Sequence, residues 1–229
     1  MSYYAIGDLH FSGNPQKKPM DKFGPHWERH DERILADWKS RITEEDTIFI
    51  VGDTSWAMRL DEVKEDLDRI IAMPGKKVII RGNHDYWWAS KAKMNALTEG
   101  ALLFLQGDAC NDGAVSYGGT RGYLCPGDSA FKEETDRSIY ERELLRTRSA
   151  LEKMTGDIRI LLLHYPPFND KNEPSGFTEL LEEFKVDHCI FGHLHDSASH
   201  ERIPSTFGNT KLHLVSMDAV QFQLYLLHL

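Results

Sequence analysis

The sequence has few cysteines, and none are paired at a spacing typical of a zinc finger or a redox motif. Cys110, Cys125 and Cys189 lie far apart in a chain of 229 residues. An odd number of widely separated cysteines argues against a disulfide framework and favours reduced thiols. Because structural zinc sites commonly use cysteine, the sequence does not predict one.

Long apolar runs and basic tracts are also missing. No stretch approaches the roughly 18 uninterrupted apolar residues of a membrane span, so we expect no membrane partner. The opening residues, MSYYAIGDLH, lack the basic and apolar regions of a signal peptide, and we therefore expect a cytoplasmic location. The formal net charge of -9 argues against non-specific binding to nucleic acid, which requires a basic surface. No feature indicates a protein partner.

What is present suits one folded domain. Apolar residues make up 41% of the chain, enough for a full core at this length. No linker, internal repeat or low-complexity tract divides the sequence, so we predict a single domain over residues 1–229. Residues 11–33 are polar and rich in Gly, Pro and Lys, which predicts a long ordered loop or a lid.

Apolar strand-like runs alternate with segments of helical spacing over much of the chain. Leu60, Val63, Leu67 and Ile70 mark one amphipathic helix, and a charged helix is expected near 132–154. Short, glycine-broken strand candidates occupy the middle, and further strands end the chain. This order predicts the α/β class, with stacked sheets flanked by helices.

Polar side chains collect at the downstream ends of the apolar runs. In open α/β sheets, ligand sites lie just beyond the carboxyl ends of the strands, so these side chains should converge. Imidazole and carboxylate groups together suit Mn, Fe or Zn, and the sequence therefore predicts two divalent metal ions. The residues at these ends are Asp8, His10, Asp53, Asn83, His84, Asp85, His164, His193 and His195.

Each of these short motifs also has a structural explanation when taken alone. A D-x-H triplet arises by chance, a Gly-Asp after a strand is commonly a turn, and a single buried histidine is commonly a core residue. The joint occurrence of five such motifs, each at the end of an apolar strand, favours a metal site.

The ordered set resembles the calcineurin-like metallophosphoesterase superfamily, whose pattern is D-x-H, G-D, G-N-H-D/E, a lone H and G-H-x-H. The match runs from residue 8 to residue 195. The motifs are Asp8-Leu9-His10, Gly52-Asp53, Gly82-Asn83-His84-Asp85, His164 and Gly192-His193-Leu194-His195. The resemblance implies a four-layer α/β/β/α sandwich of two stacked mixed sheets flanked by helices, with metals at the strand ends.

The resemblance also implies roles for these residues. One metal would be held by Asp8, His10, Asp53 and His195. The other would be held by Asp53, Asn83, His164 and His193, so that Asp53 bridges the two. A hydroxide bridging the metals would attack the phosphate ester, and His84 would assist the leaving group. Asp85 would either orient or charge His84 through a hydrogen bond or cap a helix beginning near Tyr86.

The substrate is less defined by the sequence. Tyr86, Trp87 and Trp88 either stack on a nucleobase or belong to the core of the next helix, and the second explanation is favoured. Trp56 and Phe11 follow metal motifs and are candidates for the cleft wall. Arg81 and Arg121 either contact a phosphate or form salt bridges, and Lys17, Lys18 and His26 either close over substrate or are solvated.

We therefore expect a phosphoesterase acting on a small phosphorylated substrate, with a phosphodiester or nucleotide-type compound favoured. The single-domain length leaves little room for a platform that docks a phosphoprotein. Three alternatives remain: a DNA exonuclease, a non-catalytic metal-binding scaffold of the same fold, and a metal-dependent hydrolase of non-phosphate bonds.

Overall fold

The computed structural model describes residues 1–229 as eleven strands and six α-helices. The strands are β1 Tyr3–Ile6, β2 Thr47–Ile50, β3 Lys76–Ile80, β4 Leu103–Leu105, β5 Asp108–Asp112, β6 Val115–Gly119, β7 Ile158–Leu162, β8 His188–Phe191, β9 Thr206–Phe207, β10 Thr210–Leu214 and β11 Tyr225–Leu227. The helices are α1 His30–Arg41, α2 Lys64–Ile71, α3 Lys91–Leu97, α4 Glu133–Glu152, α5 Gly176–Glu183 and α6 Ser197–Arg202.

The strands form two mixed sheets. The five-stranded sheet has the order β11-β1-β2-β3-β4, in which only β11 is antiparallel to its neighbour. The six-stranded sheet has the order β5-β6-β7-β8-β10-β9, in which β6, β7, β8 and β10 are parallel and both edge strands are antiparallel. Parallel neighbours require crossover connections, and each of the six connections contains one of the helices α1 to α6.

Alternation along the buried strands sorts their side chains between two cores. Tyr4 and Ile6 of β1 belong to a cluster that also contains residues of α1, α2 and α3. Tyr3 and Ala5, which point to the other face, belong to a cluster shared by strands of both sheets. A third cluster joins the outer face of the six-stranded sheet to α4 and α5. Three apolar interfaces separate four layers, which confirms the predicted α/β/β/α sandwich.

Two local expectations were wrong. No helix begins near Tyr86, because residues 86–87 form a turn, residues 88–90 have no regular structure and α3 starts at Lys91. Trp27, Ile34 and Trp38 recur at helical spacing in the sequence, which predicts a helix that includes Trp27, but α1 begins later, at His30, and Trp27 lies in a short 3-10 turn, Pro25–Trp27. The short helix α6 was not foreseen; Asp196 caps it by accepting a hydrogen bond from the Ser199 amide. None of the helices combines the length and the apolar character that a membrane crossing would require.

Candidate metal centre

The predicted ligands meet where parallel strands of both sheets end. Asp8 and His10 follow β1, Asp53 follows β2, and Asn83 follows β3 in the five-stranded sheet. In the six-stranded sheet, His164 follows β7, and His193 and His195 follow β8. Asp8, Asp53 and His164 are essentially buried. The rule that ligand sites lie beyond the carboxyl ends of strands therefore places all seven residues at one edge.

Backbone hydrogen bonds lock the ligand-bearing loops to one another. The amide of Asp8 donates to the Gly52 carbonyl at 2.9 Å, and the amide of His10 donates to the Asp53 carbonyl at 2.9 Å. The amide of His193 donates to the Asp8 carboxylate at 3.0 Å, which joins the two sheets. The positions of these side chains are thus set by contacts between motifs that are far apart in sequence.

Two glycines are required by this close packing. A Cβ on Gly82 would collide with the Asp53 side chain and its amide, and a Cβ on Gly192 would collide with the Asp8 carboxylate. The glycine that opens each of these motifs therefore leaves room for an aspartate from another strand end.

Several predicted ligands stand on strained backbone. The φ angles of Asp8, His10, Asp53 and His193 are 60°, 47°, 50° and 74°, in a region that non-glycine residues rarely occupy. Each such residue costs of order 1–3 kcal/mol and persists only where surrounding contacts impose it. Four of the ten non-glycine residues with positive φ are thus residues that the sequence assigned to metals.

Ligand atoms of Asp8, His10 and His195 lie within 4.8 Å of one another. Oδ1 of Asp8 is 3.5 Å from Nε2 of His195. Both Oδ1 of Asp8 and Nδ1 of His10 are buried without any hydrogen-bond partner. Leaving a buried polar atom unpaired is costly, so these atoms indicate a missing partner such as a cation.

A second group gathers around His164. Its Nδ1 lies 2.9 Å from the Val51 carbonyl, which only accepts hydrogen bonds, so Nδ1 carries the proton and Nε2 is a free acceptor. That Nε2 faces Oδ1 of Asn83 at 2.6 Å and Oδ2 of Asp53 at 3.6 Å. Oδ1 of Asn83 also lies 2.9 Å from Nδ1 of His193. Burial lowers the pKa of His164, so a second proton on its ring is disfavoured. Nε2 of His164 and the oxygens of Asn83 and Asp53 are all acceptors, and a metal ion is a suitable common partner.

The carboxylates show the same need for positive charge. Burial and the nearby charge of Asp8 raise the pKa of Asp53 to about 8. Burial opposes ionisation of Asp8 too, but the adjacent His195 and the surrounding histidines hold its pKa below the ordinary value. Asp8 is common to both groups of converging atoms, whereas the resemblance gives the bridging role to Asp53. The residues present fit divalent metal ions on the chemistry of their donors.

His84 lies beside this centre rather than within it. Its amide donates to Oδ1 of Asp53 at 2.7 Å, which fixes its backbone. Its ring is 4.7 Å from the ring of Trp56 and 6.0 Å from that of His10. Burial, followed by the charge of His164, lowers the pKa of His84.

Asp85 is placed differently from the expectation. Its carboxylate is fully buried and accepts hydrogen bonds from the amides of Thr54, Ser55 and Gly82 and from Nε1 of Trp87, at 2.8, 3.3, 2.7 and 2.9 Å. No hydrogen bond joins it to the His84 ring, and it caps no helix. These donors tie the loop after β2 to the loop after β3, so Asp85 holds together the segments that carry Asp53 and His84.

Sequence reasoning missed Asp218. Its Oδ1 lies 3.1 Å from Nδ1 of His195, and its side chain is 6% exposed. The pKa of His195 is lowered by burial, but the hydrogen bond to Asp218 and the nearby carboxylate of Asp8 outweigh this effect and raise it to about 10. The signal was available, because Asp218 follows β10, which runs parallel to β8 and ends at the same edge.

A cleft of about 620 Å³ opens over the centre. Part of its wall comes from the predicted lid segment, through Met20, Phe23, His26 and Trp27. Trp56 also lines it and stacks on His10 with ring centroids 4.7 Å apart. Phe11, the other candidate, is only 1% exposed and belongs to the core.

The other residues considered for contact with the substrate lie in different environments. Trp87 is buried and Trp88 packs against the same core, whereas Tyr86 is 53% exposed. Neither Arg81 nor Arg121 forms a salt bridge; Nε of Arg81 is buried without a partner, and the Arg121 guanidinium lies 5.2 Å from the Tyr123 ring. Lys18 donates to the Trp56 carbonyl at 3.1 Å, at the edge of the centre.

Comparison with known proteins adds independent information. A family model described as "Calcineurin-like phosphoesterase" matches residues 1–197. The gene 66 protein of Mycobacterium phage L5 is 30% identical over 82 residues, which cover 36% of this chain and 39% of the phage protein. The match thus spans well under half of that relative.

Two solved structures resemble the chain over nearly its whole length. The phosphopantetheinyl hydrolase of Mycobacterium tuberculosis has a TM-score of 0.59 at 14% identity, covering 99% of this chain and 95% of the other. A protein of unknown function from Aquifex aeolicus has a TM-score of 0.54 at 14% identity, covering 98% of this chain and 95% of the other. At these identities the likeness shows the fold alone.

Proposed function

The chain belongs to the calcineurin-like phosphoesterase family, and from this premise we propose that it hydrolyses phosphate esters with the help of two divalent metal ions. A small phosphodiester or nucleotide-type substrate is favoured. The observation that carries the proposal is the convergence of unpaired acceptors at the strand ends: Oδ1 of Asp8, Nδ1 of His10, and Nε2 of His164 against Oδ1 of Asn83.

Following the family resemblance, we assign the donors to two sets that share Asp53. Asp8, His10 and His195 would hold one ion with Asp53, and Asn83, His164 and His193 would hold the other. When bound, two such ions supply an activated water and positive charge for the phosphate oxygens. Mn, Fe and Zn all suit this mixture of imidazole and oxygen donors.

His84 is the proposed general acid. It lies at the cleft beside the proposed ligands, and its backbone is held by the Asp53 carboxylate. Asp85 acts as a positioning residue through the loops rather than through the His84 ring. Arg121 is the proposed cation for a phosphate oxygen. It has no carboxylate partner, and its positive charge acts to lower the pKa of Asp53.

The test is one assay with two substrates. The protein is stripped of metal, Mn²⁺ is restored, and turnover of bis(p-nitrophenyl) phosphate is compared with that of p-nitrophenyl phosphate, alongside Asp53→Asn. We expect metal-dependent turnover of the diester that is lost in the variant. Turnover of the monoester alone would redirect the substrate to phosphomonoesters. Absence of turnover of both substrates by the metal-loaded protein would contradict the proposal.

The alternatives predict different outcomes. A non-catalytic scaffold would bind Mn²⁺ but turn over neither ester, although every predicted ligand and His84 are present. A DNA exonuclease would degrade DNA with Mn²⁺ present, which the net charge of -9 disfavours. A cytoplasmic location remains a proposal that rests on the sequence.

A further inference from the structure

Two clefts meet at the candidate metal centre and share His193 and Leu194 in their walls. The larger, described above, contains His10 and His84 and extends toward residues 20–27. The smaller has a volume of about 220 Å³ and is lined by loops that follow β6 and β7 and by α6. The centre therefore has a separate space on the side of His193.

Aromatic rings mark the two ends of the centre. The Trp27 ring lies 5.8 Å from that of His195 and 6.3 Å from that of His10, and both histidines are assigned to one metal. The Tyr165 ring lies 4.2 Å from that of His193 and 5.4 Å from that of His164, and both are assigned to the other. A phosphate held between the metals would have a ring-lined space at each end.

The smaller cleft combines apolar walls with one available donor. Tyr123, Tyr165 and Phe168 supply rings, with Leu194 and Ile203 beside them. The Tyr165 hydroxyl makes no hydrogen bond within the protein. Although the residue as a whole is only 7% exposed, its hydroxyl oxygen is accessible from the cleft. A tyrosine hydroxyl can both donate and accept a hydrogen bond, so this group is available to a ligand in the cleft.

Charged groups on the rim are of both signs. Asp128 and Asp170 accept hydrogen bonds from amides of neighbouring loops, and Arg202 donates to the carbonyl of Ala198 and the hydroxyl of Ser199. With these groups engaged, the cleft suits an uncharged ligand. Its volume lies below the roughly 300–1,000 Å³ of drug-sized sites, which limits the ligand to about one ring system.

We propose that this cleft binds the second organic substituent of a phosphodiester, a ring-bearing, uncharged group with a hydrogen-bond acceptor. The inference rests on the proposed phosphoesterase function and deepens it. A monoester has one organic substituent and leaves one of the two spaces empty, whereas a diester fills both.

The test compares two diesters that release the same leaving group. Bis(p-nitrophenyl) phosphate carries a second ring with acceptor oxygens, and p-nitrophenyl methyl phosphate carries only a methyl group. The wild-type protein with Mn²⁺ should prefer the first by kcat/KM. Ile203→Trp, which fills the cleft, and Arg202→Trp, at an exposed rim position, should each lower this preference by roughly tenfold. Leu145→Trp, on the exposed face of α4, is the matched control and should leave it unchanged.

The outcomes separate this inference from the proposed function. If folded Trp variants keep the wild-type preference, or if wild type shows no preference for the second ring, the cleft does not bind that substituent. Turnover of p-nitrophenyl phosphate without either diester would overturn the inference and leave phosphoester hydrolysis standing. Failure on all three substrates with metal bound would overturn the proposed function itself. Circular dichroism identifies a variant that fails to fold, and the other Trp variant then decides.

Discussion

The floor of the site, meaning its seven predicted ligands, and the walls of the two clefts are built in different ways. Floor residues such as Asp8 and Asp53 sit on strained backbone and are locked by hydrogen bonds between loops of distant motifs. The walls come from segments that carry few ligands, residues 20–27 on one side and Tyr123 and Tyr165 on the other. Under the proposed function, the floor would set the chemistry and the walls would select the substrate.

The largest loss of activity is expected for a substitution in the floor. Asp53→Asn should lower kcat by about three orders of magnitude on every ester, comparable with the loss of a preorganised charge-stabilising group, because both ions lose a shared charged ligand. Steady-state kinetics with saturating Mn²⁺ measure it. Asp61→Asn, which changes an exposed surface carboxylate, is the control and should match wild type. Wild-type turnover in Asp53→Asn would remove this residue from the floor.

Substitution of His84 should lower kcat without removing the bound metal. His84→Ala should retain bound metal but lose roughly 10²–10⁴ in kcat, since a general acid contributes that much. The loss should be smallest for esters with acidic leaving groups, which need little protonation. His228→Ala, an exposed histidine, serves as the control. An equal loss for good and poor leaving groups would count against the acid role.

A smaller effect is expected one contact away from the floor. Asp218→Ala should weaken Mn²⁺ binding by about 10–100-fold, because the carboxylate holds Nδ1 of His195 and directs Nε2 toward Asp8. Asp218→Asn keeps an oxygen that accepts this hydrogen bond and should lose less. Isothermal titration calorimetry gives both affinities. Unchanged affinity in Asp218→Ala would make the contact incidental.

The smallest effect concerns the stability of the metal-free protein. The pKa of Asp53 is raised to about 8, above its unfolded value near 4, so its protonated form stabilises the fold at low pH and this stabilisation is lost as the pH rises through about 8. The raised pKa of His195 acts in the same direction. Between pH 7 and 9, where unfolded histidines are already mostly neutral, the melting temperature should fall.

The same variant isolates the contribution of Asp53. Asp53→Asn should show a shallower fall in melting temperature over this pH range, because its amide does not ionise. Saturating Mn²⁺ should oppose the fall in wild type, since metal binding requires deprotonated ligands. Identical slopes for wild type and Asp53→Asn without metal would show that the Asp53 carboxylate is not held protonated in the fold.

The sequence could predict the floor because its ligands follow one rule. Asp8, Asp53, His164 and His193 each stand just after an apolar parallel strand, and such ends meet at one edge of an α/β fold. The same rule would have found Asp218 after β10. The apolar runs and helical spacings predicted stacked sheets flanked by helices, and the family resemblance supplied the four-layer order that the three apolar clusters confirm.

The walls could not be predicted in this way. Trp87 and Phe11 follow motifs as directly as Trp56 does, yet only Trp56 reaches the cleft, because burial depends on how the loops after β1 and β2 pair. Asp85 stands beside His84 in sequence, but its carboxylate turns to the amides of Thr54 and Gly82. Adjacency in a motif does not show which side chains share a hydrogen bond.

If the five motifs build one two-metal floor, the number of metal ions bound per chain should show it. Metal-stripped wild-type protein is dialysed against Mn²⁺, and the bound metal per chain is measured by mass spectrometry, beside Asp8→Asn and Asp53→Asn. We expect two ions in wild type, weakened binding of mainly one ion in Asp8→Asn and of both in Asp53→Asn. One ion or none in wild type would contradict a two-metal floor, and full occupancy in Asp53→Asn would contradict the shared role of Asp53.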